Sequence, residues 1–578
     1  MVSGTTSGMA SGSGAIRKGI RGLMMAAAVA GLATAAHAAT TIYSNGQVYT
    51  PGGWKSAFAV KDGRIVAVGS DAEVRKAAPG ATVVDLASRT VLPGLYDMHV
   101  HPVLQAKGGE GGCRISPDLP PKEFLAAVAD CAKGVKGEWV TGGQWQSSVL
   151  TGTPITAATL DSVSGDRPTL LFDISGHSLW VNSKAMAVAG ITKDTPNPEG
   201  GIIERDASGM PTGILRETAR DLVLRHVPPQ PASETEAGLK KNLAMLLGYG
   251  ITGYVEAMAF KDDLETYAAL YDKGGLKQHV QACIAYSHAG HVNPDLDATI
   301  AAIPTYTRDR FKPTCVKVFA DGVPTESHTG AMLAPYEAGQ PNAPAKGLLL
   351  FDPATFAPHM AEWDRKGLNV LFHAAGDAAV RASLDAIAYA RKQNGPNGPI
   401  HQVGHMTFID PADMPRGKAL NAAFEFSPYL WDPQPINDDI TMAVGAKRIE
   451  RVWPIKEGFA AGGLVIAGSD WAVIPAPDPW LGIETAITRQ NVGGSAKSFG
   501  PAEGITVAQA IQMFTIDGVK RMGLEKELGT LETGKRADFI IIDKNPFKIP
   551  ATEIHTIKVQ QTYIDGAVVF DRAGAAGK

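Results

Sequence analysis

The chain has 578 residues, 54 Lys and Arg against 58 Asp and Glu, and a formal net charge of −4, with 44% hydrophobic and 7% aromatic residues. A near-neutral balance without basic runs excludes a phosphate-tracking nucleic-acid surface, and the apolar content excludes a disordered chain. The 64 Gly and 38 Pro exceed the usual ~12% share of these two residues, which predicts many turns between short elements.

At the N-terminus Arg17, Lys18 and Arg21 precede an apolar run from Leu23 to Ala36, and Ala36, His37 and Ala38 have the small-x-small form that signal peptidase cuts. The run is shorter than the ~20 residues that cross a bilayer. Residues 1–38 are therefore expected to be a removed secretory signal, leaving a periplasmic or secreted protein without stable membrane insertion.

From Thr40 to Thr90 short alternating strands follow one another between Gly turns, and the same texture returns in GTLETGKRADFIIID and VQQTYIDGAVVFD. Neither piece is large enough to bury its own face. One small β-sandwich domain built from both termini, residues 39–90 plus 523–578, is the expectation. Residues 91–522 between them repeat a strand-then-helix rhythm: VLPGLYDMHV, ITGYVEA, HVQACIAY, CVKVFADG, LNVLFHAAGD, IHQVGHM, NAAFEFSP and LVIAGSD. Runs this apolar, alternating with amphipathic segments such as ETEAGLKKNLAMLLGYG, suit parallel strands buried on both faces. The predicted class is α/β, a TIM-like (β/α)8 barrel.

Roughly residues 102–250 separate the first two strands, far more than the ~2–6 of an ordinary βα loop. An inserted subdomain over the carboxyl face is expected there, with its own strands in EWVTGG and RPTLLFDISGHSLWVNSKA and a hairpin in NPEGGIIERDASGMPTGIL. Of the four cysteines, Cys113 and Cys131 could pair in an oxidising compartment, whereas Cys283 and Cys315 lie in apolar runs that suit buried free thiols. None has the CxxC spacing of a sulfur metal site.

Chemistry concentrates at strand ends. His99 and His101 close the first strand with the period-2 spacing that aims both imidazoles one way, as a shared metal requires. His373, His405 and Asp470 close three later strands in the same manner, and Lys317 stands inside an apolar strand. A lysine so placed is costly unless it is charge-paired, chemically modified or functional.

With these residues in their order, and with VLPGLYDMHVHP, GGIIERDASGMPTGILRE, VKVFADG, FHAAGDAAV, AGSDWAV and LGTLETGKRADFIIID, the mature chain resembles the amidohydrolase superfamily. The resemblance is to its YtcJ-like branch, which includes N-substituted formamide deformylases. It implies that His99 and His101 hold one divalent ion, most plausibly Zn2+, and that His373 and His405 hold a second. Lys317, carbamylated by CO2, would bridge the two. Asp470 would bind one ion and serve as general base toward the bridging water. The chain departs from the branch at Gly404, where a Glu is common before the sixth-strand His, at Trp145-Gln146 in place of Trp-Asp, and in DGVPTESHTGAML.

Further candidates for substrate contact are His177, Asn182, Glu217, Asp321, His328 and Trp145, with Asp377 and Arg489 behind them. The aromatic residues Trp180, Tyr429 and Trp431 are expected beside Trp145 in an apolar pocket, and His226, His279, His359 and His555 are read as structural or solvent-facing. The expected activity is metal-dependent hydrolysis of amide or formamide-type, non-peptide C–N bonds in a small, partly apolar molecule. A lactonase, carbamate hydrolase or decarboxylase is the alternative on the same site, and a non-catalytic periplasmic binding protein the alternative from another class. No nucleic acid partner is expected, and a second copy of the chain is the one protein partner left open.

Overall fold

The computed structural model describes residues 40–108, 112–288, 291–337, 339, 342–431 and 433–575. The expected signal, residues 1–38, lies outside them. At the centre are eight parallel strands: β1 (Leu95–Val100), β2 (Ile251–Ala259), β3 (His279–Ala285), β4 (Phe311–Phe319), β5 (Asn369–Ala374), β6 (His401–His405), β7 (Ala422–Phe426) and β8 (Leu464–Ala467). Each pairs with its chain neighbour. A parallel bridge between Val100 and Trp471 joins the last strand to the first. All eight predicted runs became these strands, although β4 starts at Phe311, ahead of the predicted Cys315. Near-total burial along them is what barrel strands walled by helices require.

Strands from both termini make two further sheets. Thr90–Pro93 pairs in parallel with Gln47–Thr50 and antiparallel with Phe539–Ile542, so the chain's ends meet in one six-stranded sheet. A four-stranded sheet containing Thr41–Ser44 and Ala57–Lys61 packs on it through Tyr43, Phe58, Phe539 and Tyr563.

The long excursion after β1 contains a five-stranded sheet built from Val140–Trp145, Thr169–Asp173, Ser178–Val181, Gly201–Arg205 and Pro211–Glu217, the last two forming the predicted hairpin. Helix Ala232–Gly248 lies beyond this sheet. Its Leu239, Leu243 and Leu246 belong to the barrel core, so this helix, although inside the 102–250 span, is part of the barrel layer.

Cys113 and Cys131 are joined by a disulfide. The expectation of free thiols at Cys283 and Cys315 is corrected: they too form a disulfide. The parallel register of β3 and β4 sets the two residues directly opposite each other. Burial in an apolar run was read correctly, but strand register, which decides pairing, was not visible in either run alone. Among the described residues no helix is long and apolar enough to cross a membrane.

Candidate metal centre

Barrel closure builds the centre. His101 N donates to Trp471 O at 2.6 Å and Asp470 N donates to His99 O at 2.7 Å, so the seam between β8 and β1 presses Asp470 against both histidines. Asp470 Oδ1 lies 3.4 Å from His101 Nε2 and 3.6 Å from His99 Nε2, and Oδ2 lies 4.0 Å from His405 Nδ1. Lys317 Nζ, from β4, donates to His99 Nε2 at 3.1 Å. The His373 ring centroid lies 4.3 Å from that of His405, which lies 4.7 Å from that of His99. All six residues proposed from sequence therefore meet at the carboxyl end of the barrel, where barrel chemistry resides.

Burial sets their charge states. Desolvation depresses the pKa values of His99, His373 and His405 well below the usual histidine range, leaving the neutral rings that ligate metals. It lowers Lys317 to about 8. Burial works to raise the Asp470 carboxyl, but the hydrogen bond from His101 and the charges of His99, His101 and Lys317 outweigh it, and the group lies below the ordinary range. His405 (φ 66°) and Asp470 (φ 58°) both occupy the left-handed region, as do Glu217 (φ 50°) and His328 (φ 51°). Non-glycine residues held there store ~1–3 kcal/mol each and cluster at functional sites.

The donor set fits divalent metal. His99, His101 and Asp470 bring three ligand atoms within 4.8 Å of one another, as do His99, His405 and Glu425. Buried His101 Nδ1 makes no hydrogen bond, and at Lys317 the cost of burial outweighs the opposing Asp470 and Glu425 charges.

Two carboxylates that sequence reading missed stand behind the first-strand histidines. Glu425 Oε2 on β7 is 2.9 Å from His99 Nδ1, and Glu256 Oε1 on β2 is 3.9 Å from His101 Nδ1. The available signal was a carboxylate inside an apolar run, in ITGYVEA and NAAFEFSP, the same cue that exposed Lys317.

The insertion contributes His177, whose Nδ1 is 2.8 Å from Glu217 Oε2 and whose ring lies 4.8 Å from that of His373. Thr329, in the loop after β4, donates to Glu217 Oε1 at 2.6 Å. Arg216, one residue earlier on the same strand, pairs with Glu204 and Glu326. It lines a cleft of about 580 Å³ together with Trp145, His328 and Asp439. The cleft wall and the centre thus share the strand Pro211–Glu217.

Several of the expected substrate contacts are engaged in bonds within the protein. Asn182 caps helix Ser183–Ala189 by accepting from Ala185 N, and it also binds Thr169 N and Arg167 O. Asp321 accepts three backbone N–H groups, from Ala331, Ala375 and Gly376, and its Oδ1 stands 3.7 Å from His373 Nε2 beside the centre. Asp377 accepts from Leu333 N. Arg489 is buried over the Trp431 ring and donates to the Phe499 and Val452 carbonyls. Trp145, Trp180, Tyr429 and Trp431 are all buried core residues, and of the four Trp145 also lines the cleft. His279 and His555 are bound to Asp538 and Glu484, and His226 and His359 are exposed, as read.

The comparisons agree with this architecture. The chain is 27% identical to the YtcJ protein of Bacillus subtilis (strain 168), over 92% of this chain and 99% of that one. It is also 27% identical to the N-substituted formamide deformylase of Arthrobacter pascens, over 89% and 95%. An uncharacterized metal-dependent hydrolase from Pyrococcus horikoshii OT3 shares the fold, with a TM-score of 0.69, 21% identity, and coverage of 89% of this chain and 99% of that one. The amidohydrolase family model matches residues 82–570, and the chain belongs to that family of metal-dependent hydrolases.

Proposed function

We propose that this protein hydrolyses amide or formamide-type C–N bonds, outside peptides, in small and partly apolar molecules. The observation that carries the reading is Lys317. It is 1% exposed within β4, and its amine faces an imidazole nitrogen with no carboxylate in ion-pair range among the described residues. Carbamylation turns that costly cation into an anionic oxygen ligand, and its reduced basicity favours the reaction with CO2. In this reading His99, His101, His373, His405, Asp470 and carbamylated Lys317 are the residues that would hold zinc. Bound ions of this kind polarise a substrate carbonyl and lower the pKa of water.

The chain's own residues supply the remainder. Asp470, kept ionised by its histidine neighbours, accepts the proton of the attacking water and delivers it to the leaving nitrogen. His177, held through Nδ1 by Glu217, presents Nε2 to a substrate atom. The inserted sheet lies against the loops beyond β4, β7 and β8 through Arg216–Glu326, Ser148–Asp439 and Gln144–Val473, restricting bulk water at the centre. We also propose export, a reading supported by the two disulfides, which suit an oxidising compartment.

A hydrolysis screen over N-substituted formamides, simple amides, carbamates and lactones tests the activity, with each hit repeated after chelation and after zinc is restored. Metal-dependent release of amine and carboxylate is expected. Turnover confined to lactones would move the reaction to C–O bonds, and a fully metal-loaded protein inert to every class would support a binding role.

A further inference from the structure

Glu425 is the fourth residue of a strand whose five residues are all buried, and it is itself 0% exposed. An acid so placed needs partners, and it has three. Oε2 lies 2.9 Å from His99 Nδ1 and accepts from His405 N at 3.2 Å, while Ser427 Oγ donates to Oε1 at 3.1 Å. The space around it is equally specific. Gly404 stands on flanking strand β6, and Gly468 immediately follows flanking strand β8. A Cβ on Gly404 would come 2.6 Å from Glu425 Oε2, and one on Gly468 would come 2.7 Å from Oε1. Two positions without side chains thus shape one slot, and the carboxylate of the intervening strand fills it.

We propose that Glu425 is a positioning residue of the metal centre, its carboxylate held in the slot between Gly404 and Gly468 so that it fixes the tautomer and ring plane of His99. The inference rests on the metal-centre reading above. An imidazole whose Nδ1–H donates to a carboxylate has its lone pair on Nε2, and such partners orient metal-binding histidines and raise their basicity. His99 Nε2 faces Lys317 Nζ at 3.1 Å and Asp470 Oδ1 at 3.6 Å, which is the side where the other ligands gather. Glu425 Oε2 already faces the His99 and His405 nitrogens, so in this proposal the carboxylate acts through His99, and the cobalt spectrum separates that role from direct ligation.

The test compares wild type, Glu425→Gln and Glu425→Ala. Three quantities are measured: zinc affinity by competition with a chromogenic chelator, the melting temperature of the metal-free proteins, and the visible spectrum of the cobalt-loaded forms. Glu425→Ala is expected to bind zinc ~10–100-fold more weakly. Glu425→Gln, which keeps one acceptor oxygen, should fall between it and wild type. Metal-free Glu425→Gln should melt at or above the wild-type temperature, and its cobalt bands at saturation should match wild type because the ligand set is unchanged. Wild-type zinc affinity in both variants would overturn the proposal, as would affinity loss that merely tracks a lowered melting temperature. Altered cobalt bands in Glu425→Gln would overturn it in favour of direct ligation. Absence of zinc binding by wild type would instead overturn the metal-centre reading.

Discussion

An Asn at position 470 keeps the size of Asp470 and one carbonyl oxygen but removes the charge and the capacity to accept a proton. In the native site the carboxylate is ionised at neutral pH and lies within 3.6 Å of both His99 Nε2 and His101 Nε2. The Asn oxygen can occupy the same ligand position, so metal content should fall less than activity. Positioned proton transfer contributes ~10²–10⁴ in rate, or ~3–5 kcal/mol of barrier. We therefore predict that Asp470→Asn lowers kcat by at least ~10². The assay follows amine release from whichever formamide or amide the wild type turns over, at saturating substrate and with metal content measured on the same samples. Wild-type kcat at full metal loading would refute the assignment and pass the proton to another group, with His177 the next to examine because it stands beside His373.

Asp439 is 3% exposed, is held by Ser147 and Ser148, and is raised to about 7 by burial and the nearby Glu326 charge. Because its folded pKa exceeds its unfolded one, its contribution to stability is complete below pH ~4 and is lost as pH rises through ~7. Asp439→Asn should therefore gain ~2–4 kcal/mol over wild type between those limits, and denaturant midpoints that keep a constant difference from pH 4 to pH 8 would contradict this. The Cys113–Cys131 disulfide spans 18 residues, a loop whose closure stabilises by ~3 kcal/mol; Cys131→Ser should speed proteolysis within the insertion, and unchanged cleavage would count against it. The mature N-terminus should lie near Ala39, and an intact mass that retains residues 1–38 in the native host would exclude removal of the signal.

The barrel was legible because its strands are largely buried, so they read as apolar runs, and the candidate ligands stood out because each interrupts or closes such a run. What escaped depends on register and on contacts across the barrel. Cys283 and Cys315 look like isolated core thiols until the pairing of β3 with β4 sets them opposite each other. Glu256 and Glu425 sit in runs that were correctly identified as strands, but their purpose emerges only from the fold, which brings the Nδ1 atoms of His101 and His99 to their carboxylates. Asn182 and Asp321 carry the residue types of a binding site, yet they spend their acceptors on backbone amides at a helix cap and at loops. The insertion's contribution was only partly legible: His177 and Glu217 stood out individually, whereas their pairing required the antiparallel register of Ser178–Val181 with Pro211–Glu217.

Elemental analysis of active protein tests the central claim most directly, performed alongside Lys317→Ala with and without short carboxylic acids that can stand in for the carbamate. The account predicts close to two divalent ions per wild-type chain, loss of occupancy in Lys317→Ala, and partial recovery of metal and activity with the added acid. Full activity with one ion or none, or a Lys317→Ala protein that keeps both ions unaided, would contradict it.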